Sequence, residues 1–259
     1  MDTTDTPTTS TSPSGTDSST PVRPPRRKRA GDKVFAVEGR WLMGRMMPNE
    51  LLEGIGRYLR LVAPEREHEL VETIRDRATQ LIEDDGDMAV DGPAKGMLAL
   101  CGVILAAHET LLPLFDGDGR RTILYLQHVF GAVLRRSFEV AVEALTKRDH
   151  PLDALDSSCR KGFAMYGSYF DIDFDRVDPS TFEMRVSRCF FHDFFTRHGA
   201  PEVTTVLCAW DANWMTALDP AVSGLVSERT TLLSQGDGAC RFRVLETDDP
   251  LAEHRDALR

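Results

Sequence analysis

Thr181–Gly199 reads TFEMRVSRCFFHDFFTRHG, and a change of period inside it decides the fold. Phe182, Met184 and Val186 alternate with polar residues, the two-residue period of a half-buried strand. From Cys189 to His198 the apolar positions Phe191, Phe194 and Phe195 recur at helical steps instead. Gly199 then stands where a left-handed C-terminal cap is wanted. On this expected helix Cys189, His192, Asp193 and Thr196 share one face. The next stretch, PEVTTVLCAWDANW at 201–214, restarts a helix at Pro201. Val203, Val206, Leu207, Trp210, Trp214 and Leu218 step along its buried side, with Cys208 and Asp211 one turn apart on a neighbouring face. Beyond it, Leu225–Leu233 and Ala239–Leu245 read as strands joined by Gln235-Gly236-Asp237-Gly238 in a hairpin.

Upstream the texture is helical. Pro48–Ile82 carries two amphipathic stripes, Leu51 to Val62 and Leu70 to Ile82, with Pro64 opening the second helix. Gly96–Leu114 is nearly all apolar and reads as a buried central helix. Thr122–Leu145 reads as one further amphipathic helix. At His150-Pro151 the composition shifts, and SYFDIDFD at 168–175 alternates apolar with acidic residues. Helices and strands segregate rather than alternate, so the expected class is α+β: a helical N-terminal half packed on a small antiparallel sheet with two further helices. Residues 1–32, rich in Ser, Thr and Pro and ending in the basic patch Arg26, Arg27, Lys28 and Arg29, are expected to be a disordered tail. Residues 33–259 are expected to form one domain, helical over 33–150 and sheet-containing over 151–247.

The chain has 259 residues, 41% of them hydrophobic, and a formal charge of −10. That supports a sizeable core and argues against nucleic acid or an anionic membrane as partner. No run reaches the roughly 18 apolar residues that a membrane span needs, and the N-terminus has no apolar signal core. Five cysteines without CxxC spacing point to free thiols and a cytoplasmic location. No GxGxxG, P-loop or nucleophile-elbow pattern occurs, so no organic cofactor is expected.

The motif order (strand, Arg-Cys-aromatic helix, Gly-Ala-Pro-Glu break, CAWDANW helix, ERTTLLSQGDGACRF hairpin) resembles the L-2-amino-thiazoline-4-carboxylic acid hydrolase-like family. The resemblance is strongest over 182–244 and falls on Cys189, Cys208, Asp211, Gly236 and Cys240. It implies a hydrolase that opens a thiazoline ring, or a related tailoring enzyme or cyclase of small-molecule biosynthesis.

Ring opening at C=N–C–S needs attack on an electrophilic carbon and protonation of a ring atom. Cys189 or Cys208 is a candidate nucleophile if His192 or a helix N-terminus lowers its pKa. Asp211 is a candidate to activate water or orient His192, completing the catalytic set Cys189, His192, Cys208 and Asp211. Arg188, Asp193, Trp214 and Arg229 are candidates for substrate binding, the arginines as bidentate carboxylate partners. Cys101, Cys240, His108 and Trp210 read as core residues. Glu65-x-x-His68 and Asp84/Asp85/Asp87 have the residue types of cation ligands but the setting of an exposed helix start and a solvated loop, so no metal site is expected. A small-molecule substrate is the expected partner, and a homo-oligomer is compatible with the sequence. The second reading of the same residues is a small-ligand sensor without chemistry.

Overall fold

A computed structural model describes residues 37–258. The tail expected over 1–32 lies outside the described residues. From residue 37 the chain is helical, passes through π-helix at Leu42–Met46, and continues as α1 (Met47–Val62), which buries Leu51, Ile55 and Leu59. A 3₁₀ turn at Pro64–Arg66 leads into α2 (Glu67–Asp84), whose buried stripe is Leu70, Ile74, Ala78 and Leu81. Next, α3 (Gly92–Leu111) is buried around most of its circumference, as expected for a helix that is apolar on all sides. Here the reading of the sequence needs correction. Gly92–Phe115 spans 24 residues and is long and apolar enough to cross a membrane, but 67% of its most apolar window is buried inside the protein. Its neighbours are the other helices, with α2 the most extensive.

The single helix expected over Thr122–Leu145 is two, α4 (Gly119–Gly131) and α5 (Arg135–Thr146), with Leu134 at φ 60° between them. Side chains of a later helix, Thr204–Thr216, fill the break. Trp210 Nε1–H donates to the Val133 carbonyl and Asn213 Nδ2–H to the Gly131 carbonyl, both at 2.9 Å. Buried carbonyls at the corner thus find partners without a continuous helix.

The second half holds more helices than the two expected. In order come α6 (Pro151–Gly162), β1 (Asp171–Asp178), β2 (Thr181–Arg188), α7 (Phe190–Arg197), α8 (Thr204–Thr216), the short α9 (Pro220–Ser223), β3 (Leu225–Thr231), β4 (Cys240–Glu246) and β5 (Arg255–Asp256). The strands lie in the order β1-β2-β4-β3-β5. The first four pair antiparallel, as expected, while β5 adds a short parallel edge to β3 and makes the sheet mixed. The class is α+β. In register, Met184 faces Phe242, Val186 faces Cys240 and Arg229 faces Phe242. Those side chains are buried, with α6 in contact with β4 and α8 with β3. On the opposite face the ladder is charged. Glu183 accepts from Arg241 at 2.6 Å and Arg243 at 2.7 Å.

Two fixtures tie the halves together. Asp85, only 3% exposed, accepts from Arg197 at 2.9 Å and pairs with His198 at 2.6 Å, while Arg197 also forks onto Asp87. The acidic loop read as solvated therefore holds a cation from its own chain. Asp91 caps α3 through Ala94 N–H and also accepts from the backbone N–H and hydroxyl of Ser168. This approach requires Gly167: it sits at φ +71°, and a Cβ there would stand 2.5 Å from an Asp91 oxygen.

Candidate active site

The end of the sheet where β2 gives way to α7 and β4 begins is where most of the candidate residues converge. Cys189 is the extended residue on which α7 starts. Cys240 opens β4 opposite Val186, and α8 presents Cys208 and Asp211 one turn apart, as their i, i+3 spacing requires. These side chains surround a cavity of about 40 Å³, together with Thr204, Arg229 and the aromatic residues Phe163, Tyr166, Phe170, Phe191, Trp214 and Phe242. By volume it holds roughly three waters. A wider open groove of about 340 Å³ runs along α1 and α2 past Arg57, Arg60 and Arg75. It touches none of the candidate residues, so the smaller cavity is the one with chemistry around it.

The cavity is electrostatically unusual for its size. Asp211 makes no hydrogen bond among the described residues, and burial pushes its carboxyl up to about 6; the Arg229 charge pulls the other way and Asp256 adds to the rise. Arg229 is completely buried. Its Nε and Nη2 fork onto Asp256 at 2.8 and 2.7 Å, and its Nη1 donates to the Cys208 carbonyl at 2.7 Å. A substrate carboxylate therefore finds all three nitrogens of this guanidinium engaged. Thr204 is 2% exposed, and its Oγ1 has no partner among the described residues.

The thiols are neutral. Burial pushes Cys208 up to about 12, against the lowering effect of Arg229. Cys189 is raised well above the ordinary thiol range by burial, which outweighs the N–H groups of His192 and Phe191 at the start of α7. The helix N-terminus does lower this pKa, as reasoned from the sequence, but desolvation is the larger effect. Cys240 is raised by burial as well, and its sulfur accepts from the Leu233 N–H at 3.3 Å. Cys208 Sγ lies 3.7 Å from the Ser234 hydroxyl.

The structure thus gathers Cys189, Cys208, Asp211, Trp214 and Arg229 around one cavity, with Cys240 beside them. It places His192, Asp193 and Arg188 outside that lining. Arg188 lies over the Tyr169 ring at 4.1 Å, and the Tyr169 hydroxyl donates to Asp193 at 3.2 Å, a separate cluster nearer the surface. His192 Nδ1 is buried with no partner among the described residues. Trp210 is a core residue whose indole N–H closes the α4–α5 corner. Among the described residues, no three His, Cys, Asp or Glu side chains are disposed to hold a metal ion.

Residues 125–244 match the family described as L-2-amino-thiazoline-4-carboxylic acid hydrolase. Over that segment the chain is similar to this family. The match begins in α4 and ends in β4, so it takes in the corner, the sheet apart from its β5 edge and the end of β4, and every residue of the cavity lining. No curated protein and no solved structure matches the chain.

Three contributors escape a reading of the sequence. Thr204 lies in an ordinary helix start, and Tyr166 in a glycine-flanked turn. Asp256 belongs to a polar C-terminal stretch, LAEHRDALR at 251–259, that carries no motif. Only the aromatic density around Phe163–Phe170 was a signal that this segment packs inward.

Proposed function

We propose that this chain is a cofactor-free, cytoplasmic small-molecule enzyme that opens or rearranges a ring containing C=N–C–S in a biosynthetic or tailoring pathway, and that residues 33–259 act as its one catalytic domain. The family match supports a hydrolase-type activity. The observation that carries the reading is the Asp211 carboxyl, raised to about 6 beside a cavity of about 40 Å³ with no hydrogen-bond partner among the described residues. A carboxyl near neutrality in a cleft is suited to move protons in both directions.

In this reading water is the nucleophile. Asp211 takes a proton from it as the C–O bond forms at the C=N carbon, and passes that proton to the ring nitrogen. It then takes the hydroxyl proton of the tetrahedral adduct as the C=O bond forms and the C–S bond breaks, and delivers it to the departing sulfur. Asp211 ends as it began. Cys208, raised to about 12, is too weak an acid for Asp211 to ionise, so the thiols Cys189 and Cys208 line and shape the cavity. Trp214 and Phe242, with ring centroids 6.2 Å apart, form one wall for a planar ring.

The test is turnover of a 2-amino-thiazoline substrate followed by thiol release. Asp211→Asn is expected to lower kcat/KM at least about a hundredfold, and the wild-type rate is expected to fall on the acid side with an apparent pKa near 6. Cys208→Ala losing as much as Asp211→Asn would sink the water mechanism. A folded protein that binds the ring and yields no product by mass spectrometry would favour the sensor reading, for which the neutral thiols speak.

A further inference from the structure

Two polar groups at the cavity lack the partners that buried polar groups ordinarily have. One is the Asp211 carboxyl, with no hydrogen bond among the described residues. The other is Tyr166, from the 3₁₀ turn Phe163–Tyr166 that follows α6. Tyr166 lines the same cavity and is 8% exposed, and its hydroxyl has no hydrogen bond among the described residues. Burial raises that hydroxyl well above the ordinary phenol range, and the neighbours that add to the rise are, in order, Asp211, Cys189 and Cys159. The first two line the cavity, so the hydroxyl end of Tyr166, and not its ring alone, is on the cavity side. The ring is fixed. It stacks on Phe163 with centroids 5.1 Å apart, and lies 4.9 Å from Phe170 and 6.3 Å from Phe191. Directly after it the chain turns at Gly167, φ +71°, and is pinned where Ser168 donates twice to Asp91. The other strong donor of the lining is spent: Arg229 is bound to Asp256 and to the Cys208 carbonyl. The thiols of Cys189, Cys208 and Cys240 are weak donors.

We propose that Tyr166 is a further residue of the reaction, its hydroxyl holding in place the water that Asp211 activates. This deepens the hydrolytic reading and rests on it for the role of that water. The phenol O–H donates to the water oxygen, and the water gives one O–H to the Asp211 carboxylate. One lone pair is then left to attack the C=N carbon. Tyr166 keeps its proton throughout, since its raised hydroxyl is a hydrogen-bonding group and not an acid that Asp211 can ionise. A donor and an acceptor facing one small cavity satisfy each other through a bridging water, which needs at least two polar partners. The chain of two bonds also polarises towards the carboxylate and favours its ionised form. A hydroxyl locked by three rings and a pinned turn orients the nucleophile before the substrate arrives.

Tyr166→Phe in the full chain tests it, with two readouts. The first is turnover of the 2-amino-thiazoline substrate: kcat is expected to fall at least about tenfold while KM stays within about twofold. The second needs no turnover. It is a carbon-13 titration of the aspartate carboxyls, with the Asp211 signal identified by its loss in Asp211→Asn. Removal of the hydroxyl is expected to move Asp211 up from about 6 to about 6.5. A tyrosine that only packs would change neither. An unmoved Asp211 overturns the proposal, whatever the activity, and so does a variant that turns over like the wild type or loses only KM. A larger loss in Thr204→Val, which removes the other partnerless hydroxyl of the lining, overturns it as well. Should Tyr166→Phe not fold, 3-fluorotyrosine placed at position 166 is a stronger donor of nearly the same shape. It is expected to move Asp211 down, and no movement overturns the proposal. A wild-type chain that releases no thiol, yet whose Asp211 responds to Tyr166→Phe, overturns the hydrolytic reading and leaves the bridged pair standing. Turnover that needs Asp211 and ignores Tyr166 does the reverse.

Discussion

An acid whose folded pKa is raised stabilises the protein in the opposite pH range from a salt-bridged one. Asp211 goes from 3.8 to about 6 on folding. Its favourable contribution is complete below about 3.8 and is lost as pH rises through about 6. At neutral pH the folded state therefore carries an ionised carboxylate it would be more stable without. Asp211→Asn is expected to stabilise the protein at pH 7 by about 1–2 kcal/mol, and the gain is expected to vanish near pH 4, as urea unfolding at the two pH values would show. A stabilising substitution that destroys activity is the pattern of a residue kept for function. Asp256 has the converse role. Asp256→Ala leaves a completely buried guanidinium without its partner, and is expected to cost about 3–5 kcal/mol by chemical denaturation. At this scale the sequence was partly legible. Cys208 and Asp211 fall on one helix face by spacing alone. The link from Cys189 to His192 failed because Cys189 is the extended cap of α7, at φ −126° and ψ 120°, where i, i+3 geometry does not apply. Asp256 meets Arg229 across 27 residues, and no local pattern announces that contact.

Among the elements, the α4–α5 corner shows what periodicity misses. Ile123 through Val142 keep one apolar stripe, so the sequence reads as a single helix. The break at Leu134 has its cause elsewhere, in Trp210 and Asn213. Asn213→Ala is expected to leave the buried Gly131 carbonyl unpaired and to cost about 1–3 kcal/mol. Hydrogen exchange should rise most at the amides of residues 131–135. β5 was invisible for a different reason: two residues in a polar stretch cannot show an alternation. By contrast β3 and β4 bury alternate side chains, and β2, which also buries Thr181 and Glu183, still shows the alternation of Phe182, Met184 and Val186 in its sequence, so all three were readable.

Across the whole molecule, the separation of helices from strands was plain in the order of periods along the chain, and it sets the α+β class. What the sequence did not show is how the halves are held together. Asp85 and Asp87 precede α3, yet their partners Arg197 and His198 end α7, more than 100 residues later. Asp85→Ala removes a buried acceptor shared by two side chains. It is expected to lower stability by about 1.5–3 kcal/mol and to loosen α7 before the helices of the N-terminal half, which limited proteolysis would reveal as cleavage near Gly199. The α4–α5 corner has a further consequence, for the order in which the chain is made. Its two carbonyls wait for donors encoded 77 and 82 residues downstream. A nascent chain that has emerged only as far as α5 has nothing with which to set that bend, so the angle between these helices is an instruction the C-terminal half sends back to the N-terminal one, and the cavity acquires its walls only after that message arrives.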